Sequence, residues 1–139
     1  MSFFTNAPID SAALVRDVLR RTDGATVLFE GVVRNHNEGK QVDSIDYEAY
    51  LPMAEKEMAA VIDAVRAAYP DAAMTVVHRL GHLAVGDTSI AIACASPHRA
   101  EAFAACKEVI DRIKKTVPIW KKEHGPNGEE WVGWQCTHE

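Results

Sequence analysis

The stretch TSIAIACASPHRAEAFAACKEVIDRIKKTVP, residues 88–118, decides the fold because it joins an apolar segment to a long amphipathic one. The segment Thr88–Ala95 is predicted to be a strand. Ser96 and Pro97 then favour a helix start, since the serine side chain accepts from free N–H groups and proline loses no hydrogen bond at the first helical position. The helix is expected to end about three residues before Pro118, which cannot continue it.

Side-chain directions on this helix follow from counting 100° per residue from Pro97. The residues expected to face the core are Ala102, Phe103, Cys106, Val109, Ile110 and Ile113. Lys114 falls at the edge of this face, beside Phe103, whereas Lys115 faces solvent. A lysine at an apolar margin is either partly buried and usable as a base or nucleophile, or extends along the surface with its amine in water. The helical phase leaves both interpretations of Lys114 open.

The elements around this helix alternate paired strands with helices. In chain order we predict a helix at 10–21, strands at 25–33 and 42–50, a helix at 52–69, strands at 75–80 and 88–95, the helix at 97–115, and strands at 119–123 and 130–134. The order α-β-β-α-β-β-α-β-β indicates an α+β fold with three main helices and a largely antiparallel sheet. The β-branched strand at 25–33 is expected to be buried. With no linker or repeat, residues 1–139 are predicted to form a single domain.

Composition and charge exclude several classes of protein. The 139 residues are 47% hydrophobic and 25% charged, which is typical of a globular protein and excludes a disordered chain. A net charge of −5 disfavours nucleic-acid binding. Residues 88–98, the longest run without Asp, Glu, Lys or Arg, are too few for a bilayer span of about 20 residues. Residues 98–124 nevertheless carry a local +3, from seven basic and four acidic side chains, which favours binding of a small anion.

Neither the cysteines nor the histidines predict a metal site. Cys94, Cys106 and Cys136 follow no CxxC spacing, so we expect reduced thiols in a cytoplasmic protein. His78 and His82 have the spacing of helical metal ligands, but they fall on a strand and a turn, where the two side chains do not share a helical face. We therefore predict no metal and no cofactor.

Five polar residues are candidates for a functional site. His98 and Arg99 lie in the first turn of the helix, where free N–H groups favour an anion, although an arginine paired with a nearby acid is the alternative. Lys121 and Glu123 share one face of the strand after Pro118, either as a base tuned by a carboxylate or as a surface ion pair. Arg34 follows a strand at the mouth of a loop, a common position for functional residues.

At these same residues the sequence closely resembles the large, catalytic subunit of molybdopterin synthase. The matching stretches are FEGVVRNHN at 29–37, YEAY at 47–50 with MA at 53–54, HRLG at 78–81 with GD at 86–87, SPHR at 96–99 with AF at 102–103, and 114–123 with WV at 131–132. Together they span residues 29–132. Their order and number make the resemblance more specific than any single motif.

The resemblance implies a sulfurtransferase of molybdenum cofactor biosynthesis. Enzymes of this family take cyclic pyranopterin monophosphate and install two sulfurs, which forms the dithiolene of molybdopterin. The sulfur arrives as a thiocarboxylate on the C-terminal glycine of a small ubiquitin-like partner, whose tail inserts into the catalytic subunit. The family's assembly is a central homodimer with one small subunit at each end, a heterotetramer. Sulfur from a partner also requires no cysteine nucleophile in this chain.

The resemblance also implies roles for particular residues. Lys114, four residues before the proline, and Lys121, after the tryptophan, match catalytic positions. The positions implied for substrate binding are Val32, Val33, Arg34, His98, Arg99, Lys122 and Glu123. Val32 replaces a lysine of some relatives, so it is expected to offer only backbone contacts. Because the sequence stops at Glu139, soon after the last match, we expect little contribution from the longer C-terminus found in the family.

The predicted helix separates two of these candidates. Arg99 and Lys114 are fifteen residues apart, about 22 Å along a helix. A small pterin does not easily touch both in one chain, so we expect each site to be built across the homodimer interface. Two other classes stay open from the sequence: a binding module without catalysis, and an acyl or phosphoryl transferase that uses His98 as its base.

Overall fold

The computed structural model describes residues 2–133, which form three helices and ten strands. The helices are α1 (Ser11–Val18), α2 (Leu51–Ala68) and α3 (Arg99–Thr116). The strands are β1 (Phe4–Thr5), β2 (Ala25–Val32), β3 (His36–Asn37), β4 (Lys40–Gln41), β5 (Ser44–Ala49), β6 (Ala73–Arg79), β7 (Gly81–Ala84), β8 (Thr88–Ser96), β9 (Ile119–Gly125) and β10 (Gly128–Val132).

The strands form two four-stranded sheets and one small hairpin. The first sheet has the order β1-β6-β8-β2, the second β10-β9-β5-β7, and β3 pairs with β4. Among the pairings of the described residues, only that of β1 with β6 is parallel. The predicted α+β fold with three helices and mostly antiparallel strands is therefore confirmed. Strands β1, β3, β4 and β7 were not predicted, because two to four residues are too few for a clear alternating pattern.

Strand β8 is the centre of the first sheet and is buried on both faces. Ile92 and Cys94 point into the main core with residues of α2 and α3, whereas Ala93 and Ala95 pack with α1. Because side chains alternate along a strand, small residues on one face admit α1 and larger ones on the other face meet the two long helices. This packing fixes α3 against the sheet and so fixes the position of its C-terminal end.

Helix α3 differs from the predicted helix in its start and in one core residue. Strand β8 continues to Ser96, and His98 is the N-cap with no side-chain capping bond, so the helix begins at Arg99. The buried residues are Ala102, Ala105, Cys106, Val109 and Ile113. Phe103 is 62% exposed, so its assignment to the core is wrong. One step along a helix turns the side chain by about 100°, which carries Phe103 off the face centred on Ala102 and Cys106.

The expectation of a buried strand at 25–33 is also wrong. Within residues 2–133, strand β2 pairs only with β8 and lies at an edge of the first sheet, with Leu28 40% and Phe29 36% exposed. An apolar composition predicts a strand but does not give its place in a sheet, because edge and central strands share the same residue types. This exposed edge forms one wall of the pocket described below.

The chain passes from the first sheet to the second at Leu80. Gly81, the next residue, has a φ of 96°, a conformation that favours glycine. His78 therefore lies buried in the first sheet, whereas His82 lies exposed in the second. Within residues 2–133, no helix has the length and apolar content needed to cross a membrane.

Candidate active site

A pocket of about 290 Å³ lies between the C-terminal half of α3, the edge strand β2 and the second sheet. Its lining residues are Phe29, Gly31, Val32, Arg34, Tyr47, His78, Ser89, Ile90, Ile110, Ile113, Lys114, Val117, Ile119, Lys121, Val132 and Gly133. The walls are mostly apolar, and among the described lining residues the cationic groups are two lysines and one arginine. Such a pocket has the character of a small-ligand site, in which a few polar groups orient a ligand among apolar walls.

The two lysines of the pocket come from different elements. Lys114 lies in the last turn of α3, next to the buried Ile113, and is itself half-buried. Lys121 lies on β9 directly opposite Tyr47 of β5. Lys115 is exposed and lines a separate groove between α2 and α3. The structure therefore directs Lys114, and not its neighbour, into the same pocket as Lys121.

A β-bulge shapes the rim of the pocket on β2. The register of β2 against β8 shifts between Gly31 and Val32. A Cβ at Gly31 would lie 2.8 Å from Ile90 Cγ2, so any other residue here would force the Ile90 side chain or the strand to shift. A bulge turns the following side chains. Val32, 51% exposed, lines the pocket, and Arg34 lies where this pocket meets a smaller adjoining cavity.

Glu123 anchors a polar network under the pocket. Its side chain is buried and accepts a hydrogen bond from Asn37 Nδ2 at 2.9 Å. Lys121 Nζ lies 3.7 Å from the same carboxylate oxygen, Oε2. Arg34 Nη2 donates to Asn37 Oδ1 at 3.5 Å. Two cationic side chains of the pocket are therefore connected through one buried carboxylate and one amide.

Replacing Glu123 with alanine should lower the free energy of unfolding by about 2 kcal/mol, because it leaves Asn37 buried without its acceptor and Lys121 without its carboxylate. The matched control is Glu130→Ala, which breaks the exposed ion pair with Lys40 at 2.8 Å. That change should cost less than about 0.5 kcal/mol. Urea unfolding of both variants measures the difference, and equal losses would contradict the anchoring role of Glu123.

His78 is a buried neutral group at the floor of the pocket. Burial lowers the pKa of His78 to about 4, and the nearby Lys114 charge acts in the same direction. Its Nδ1 lies 2.8 Å from Arg79 O, so Nδ1–H donates to this carbonyl. The ring also packs edge-on against Tyr47, with 5.0 Å between centroids. His78 thus contributes a neutral ring to the pocket at pH 7.

The lowered pKa of His78 makes stability depend on pH. The unfolded histidine binds a proton near pH 6.5, whereas the folded one does so only near pH 4. The contribution of neutral His78 to the free energy of unfolding is therefore complete above pH 6.5. As the pH falls towards 4, the free energy of unfolding decreases by up to about 3 kcal/mol. In urea unfolding between pH 4 and pH 7.5, His78→Asn should have a shallower pH slope than the wild type. The exposed His36→Gln should keep the wild-type slope, and an unchanged slope in His78→Asn would contradict the assignment.

Five of the nine predicted site residues do not line the pocket, and three of these, His98, Arg99 and Lys122, lie away from it. His98 and Arg99 are exposed at the opposite end of α3 from Lys114. Lys122 points to the other face of β9, because side chains alternate along a strand, and there it contacts Glu129 at 2.6 Å and the Trp131 ring at 5.5 Å. Lys122 therefore does not line the pocket, and its role in substrate binding stays a prediction. Val33 is buried and, with Glu123, lines the small adjoining cavity.

Several pocket residues were missed by the sequence reasoning. Tyr47 and His78 of the pocket, and Asn37 of the adjoining cavity, all lie in stretches that match the family, and that match was the only signal that pointed to them. Nothing in the local pattern brings them together, since they lie in different strands. The pocket forms where the two sheets and α3 meet, which local periodicity does not give.

The cysteines of the described residues are packing groups. Cys94 and Cys106 are free and buried. The Cys94 thiol donates a hydrogen bond to Cys106, and this bond together with burial raises the pKa of Cys94, which disfavours a thiolate there. Cys136, Glu139 and the last residue of the strand predicted at 130–134 lie outside the described residues.

The fold and the pocket define an α+β protein with a small, apolar-walled site that carries lysine and arginine side chains. The family model of the MoaE protein matches residues 4–116. The chain belongs to the MoaE family.

Individual relatives agree with this assignment. The molybdopterin synthase catalytic subunit of Staphylococcus carnosus is 46% identical over 112 residues, covering 81% of this chain and 75% of that protein. The crystal structure of molybdopterin synthase from Staphylococcus aureus has a TM-score of 0.89 at 38% identity, covering 94% of this chain and 95% of that one. The MoaE protein of Burkholderia ambifaria has a TM-score of 0.79 at 31% identity, covering 98% of this chain and 90% of that one.

Proposed function

We propose that this protein is the sulfurtransferase subunit of a molybdopterin synthase. It transfers two sulfurs from the C-terminal thiocarboxylate of a small ubiquitin-like subunit to cyclic pyranopterin monophosphate and forms the dithiolene of molybdopterin. The observation that carries this proposal is the convergence of Lys114 and Lys121 in one apolar-walled pocket of a MoaE-family chain. No cofactor is required, and we place the reaction in the cytoplasm, where free thiols such as Cys94 stay reduced.

The charges of the pocket suit this chemistry. Attack by the thiocarboxylate sulfur on the side chain of the precursor accompanies opening of the cyclic phosphate, so negative charge develops on a phosphate oxygen. Water then hydrolyses the resulting thioester, which leaves the sulfur on the precursor and releases the C-terminal carboxylate of the partner. Lys114 and Lys121 are fixed cations at the site of this charge, and such groups stabilise it most where water is excluded. Ile110 and Ile113 form part of the apolar wall that excludes water beside Lys114.

Lys121 and Arg34 have supporting roles in the proposal. Glu123, 3.7 Å from Lys121 Nζ, orients this lysine as an acid, base or electrostatic partner. Arg34 lies at the rim, where its guanidinium reaches a phosphate or the pterin. Val32 and Val33 bind through backbone groups or by packing, since neither side chain is polar. The inserted tail of the partner would occupy the part of the pocket next to Lys114.

His98 and Arg99 would act from the second subunit of a homodimer. They lie at the start of the 18-residue helix whose end carries Lys114, about 22 Å away along the axis. A single small ligand does not bridge that distance within one chain. We therefore propose that each site combines Lys114 and Lys121 of one protomer with His98 and Arg99 of the other.

The test is reconstitution from purified components. Wild-type protein is mixed with the thiocarboxylated small subunit and cyclic pyranopterin monophosphate, and the dithiolene product is detected by mass spectrometry. We expect product only when all three components are present. Binding of the small subunit without any product would contradict the enzyme assignment and leave a binding module. Product without the thiocarboxylate would contradict the proposed sulfur source.

A further inference from the structure

A second cluster of ionisable side chains lies on the outer face of the second sheet, away from the pocket. Asp46 of β5 is directly opposite His82 of β7, and His124 of β9 is opposite Ser44, two residues along β5. Side chains two residues apart on a strand share one face. Three adjacent strands therefore present Asp46, His82 and His124 side by side. Tyr47 and Lys121, the residues of the pocket, lie on the other face.

The distances within this cluster fit a single small cation. His82 Nδ1 lies 2.6 Å from Asp46 Oδ1, and His124 Nε2 lies 2.7 Å from Asp46 Oδ2. One ligand atom from each residue lies within 4.8 Å of the other two. Ligands of a tetrahedral zinc ion stand roughly 3.3 Å apart, as zinc–ligand bonds of 2.0–2.1 Å require. Small side-chain rotations therefore bring the two imidazoles and the carboxylate around one ion, with the fourth position left for water.

Glu129 supplies a partner behind one of these histidines. It lies opposite His124 on β10, and its Oε1 is 3.6 Å from His124 Nδ1. With an ion on Nε2, the remaining ring proton sits on Nδ1 and points towards this carboxylate. A carboxylate behind a metal-bound histidine fixes the ring and its tautomer.

The local charge also suits a cation. Asp46, Glu48 and Glu129 bring three carboxylates to this region, where Lys122 is paired with Glu129 at 2.6 Å. The hydrogen bonds from the histidines to Asp46 offer the alternative of a purely structural network. However, the two imidazoles converge on one carboxylate, and a further carboxylate lies behind His124. These groups make up the donor set of a zinc site with an open position.

We propose that Asp46, His82 and His124 form a binding site for a divalent transition-metal ion of the zinc type. The ion joins β5, β7 and β9 on the face opposite the pocket. Because it would bind the folded chain only, it stabilises the second sheet, and it takes no part in sulfur transfer. The site is independent of the proposed function, so either can fail without the other.

Zinc titration of the full-length, untagged protein tests the site, with a chromophoric chelator as competitor. We expect one Zn²⁺ per chain, an affinity at least about tenfold weaker in His82→Gln and Asp46→Asn, and a zinc-dependent rise in melting temperature that His82→Gln lacks. His82 is 65% exposed at its side chain, so its replacement leaves the metal-free melting temperature unchanged.

Two controls exclude other ligands. The exposed His36→Gln should keep the wild-type affinity, as should the double variant Cys136→Ala/His138→Ala, which removes two potential ligands of the C-terminus. Absence of binding at about 100 µM Zn²⁺, or an affinity that His82→Gln leaves unchanged, would overturn the proposal. Loss of binding in the double variant would do so as well.

Discussion

Replacing Lys114 with alanine should lower the rate of dithiolene formation by at least about 100-fold. The amine is one of two lysine cations in an apolar-walled pocket, and removal of a single preorganised group that stabilises developing charge commonly costs 100-fold to 1,000-fold. The small subunit should still bind, because the remaining surface is unchanged. The rate is measured under single-turnover conditions with the reconstituted components, so that product release does not hide the chemical step.

The neighbouring lysine supplies the matched control. Lys115→Ala removes the same side chain one residue later, but Lys115 is exposed and lines the groove between α2 and α3. The rate of dithiolene formation by Lys115→Ala should stay within about twofold of the wild-type rate, since a screened surface charge outside the pocket contributes little to stabilising charge inside it. Equal losses in the two variants, or an undiminished rate in Lys114→Ala, would refute the role of Lys114.

Mixing two inactive variants should restore activity if the site is shared across a homodimer. Arg99→Ala and Lys114→Ala should each be strongly impaired alone. After subunit exchange at equal amounts, half of the dimers are mixed, and each mixed dimer keeps one intact site. The mixture should therefore recover about one quarter of the wild-type activity. The measurement is the initial rate of product formation before and after exchange.

A second mixture tests the geometry. Lys114 and Lys121 line the same pocket of one chain, so mixed dimers of Lys114→Ala and Lys121→Ala contain no intact site. This mixture should show no recovery. Recovery in both mixtures, or in neither, would contradict a site in which Arg99 comes from the other protomer.

The sequence predicted the features that depend on local periodicity. The helical phase separated Lys114 from Lys115, and the structure agrees, since of these two lysines only Lys114 lines the pocket. Strand alternation likewise placed Lys121 with Glu123 on one face of β9, and the two side chains lie 3.7 Å apart. Both results follow from side-chain direction within a single helix or strand, which needs no knowledge of distant residues.

Features that depend on distant contacts were not predictable in the same way. Phe103 was placed in the core because its helical phase puts it at the edge of the apolar arc, but β8 and α2 pack against a face centred elsewhere on α3. The position of β2 at a sheet edge depends on which strands pair, and the pocket depends on how the two sheets meet α3. The cluster of Asp46, His82 and His124 likewise requires the register of three strands that are distant in sequence.

The central claim, sulfur transfer from a partner to a pterin, is tested most directly by the balance of sulfur in one reconstituted reaction. Mass spectrometry would count the thiocarboxylate lost from the small subunit and the dithiolene gained by the pterin, with wild-type protein in limiting amount. The account predicts two thiocarboxylates consumed for each molecule of product, with no change in the mass of this protein after turnover. Consumption of thiocarboxylate without dithiolene, or no reaction at all, would contradict it.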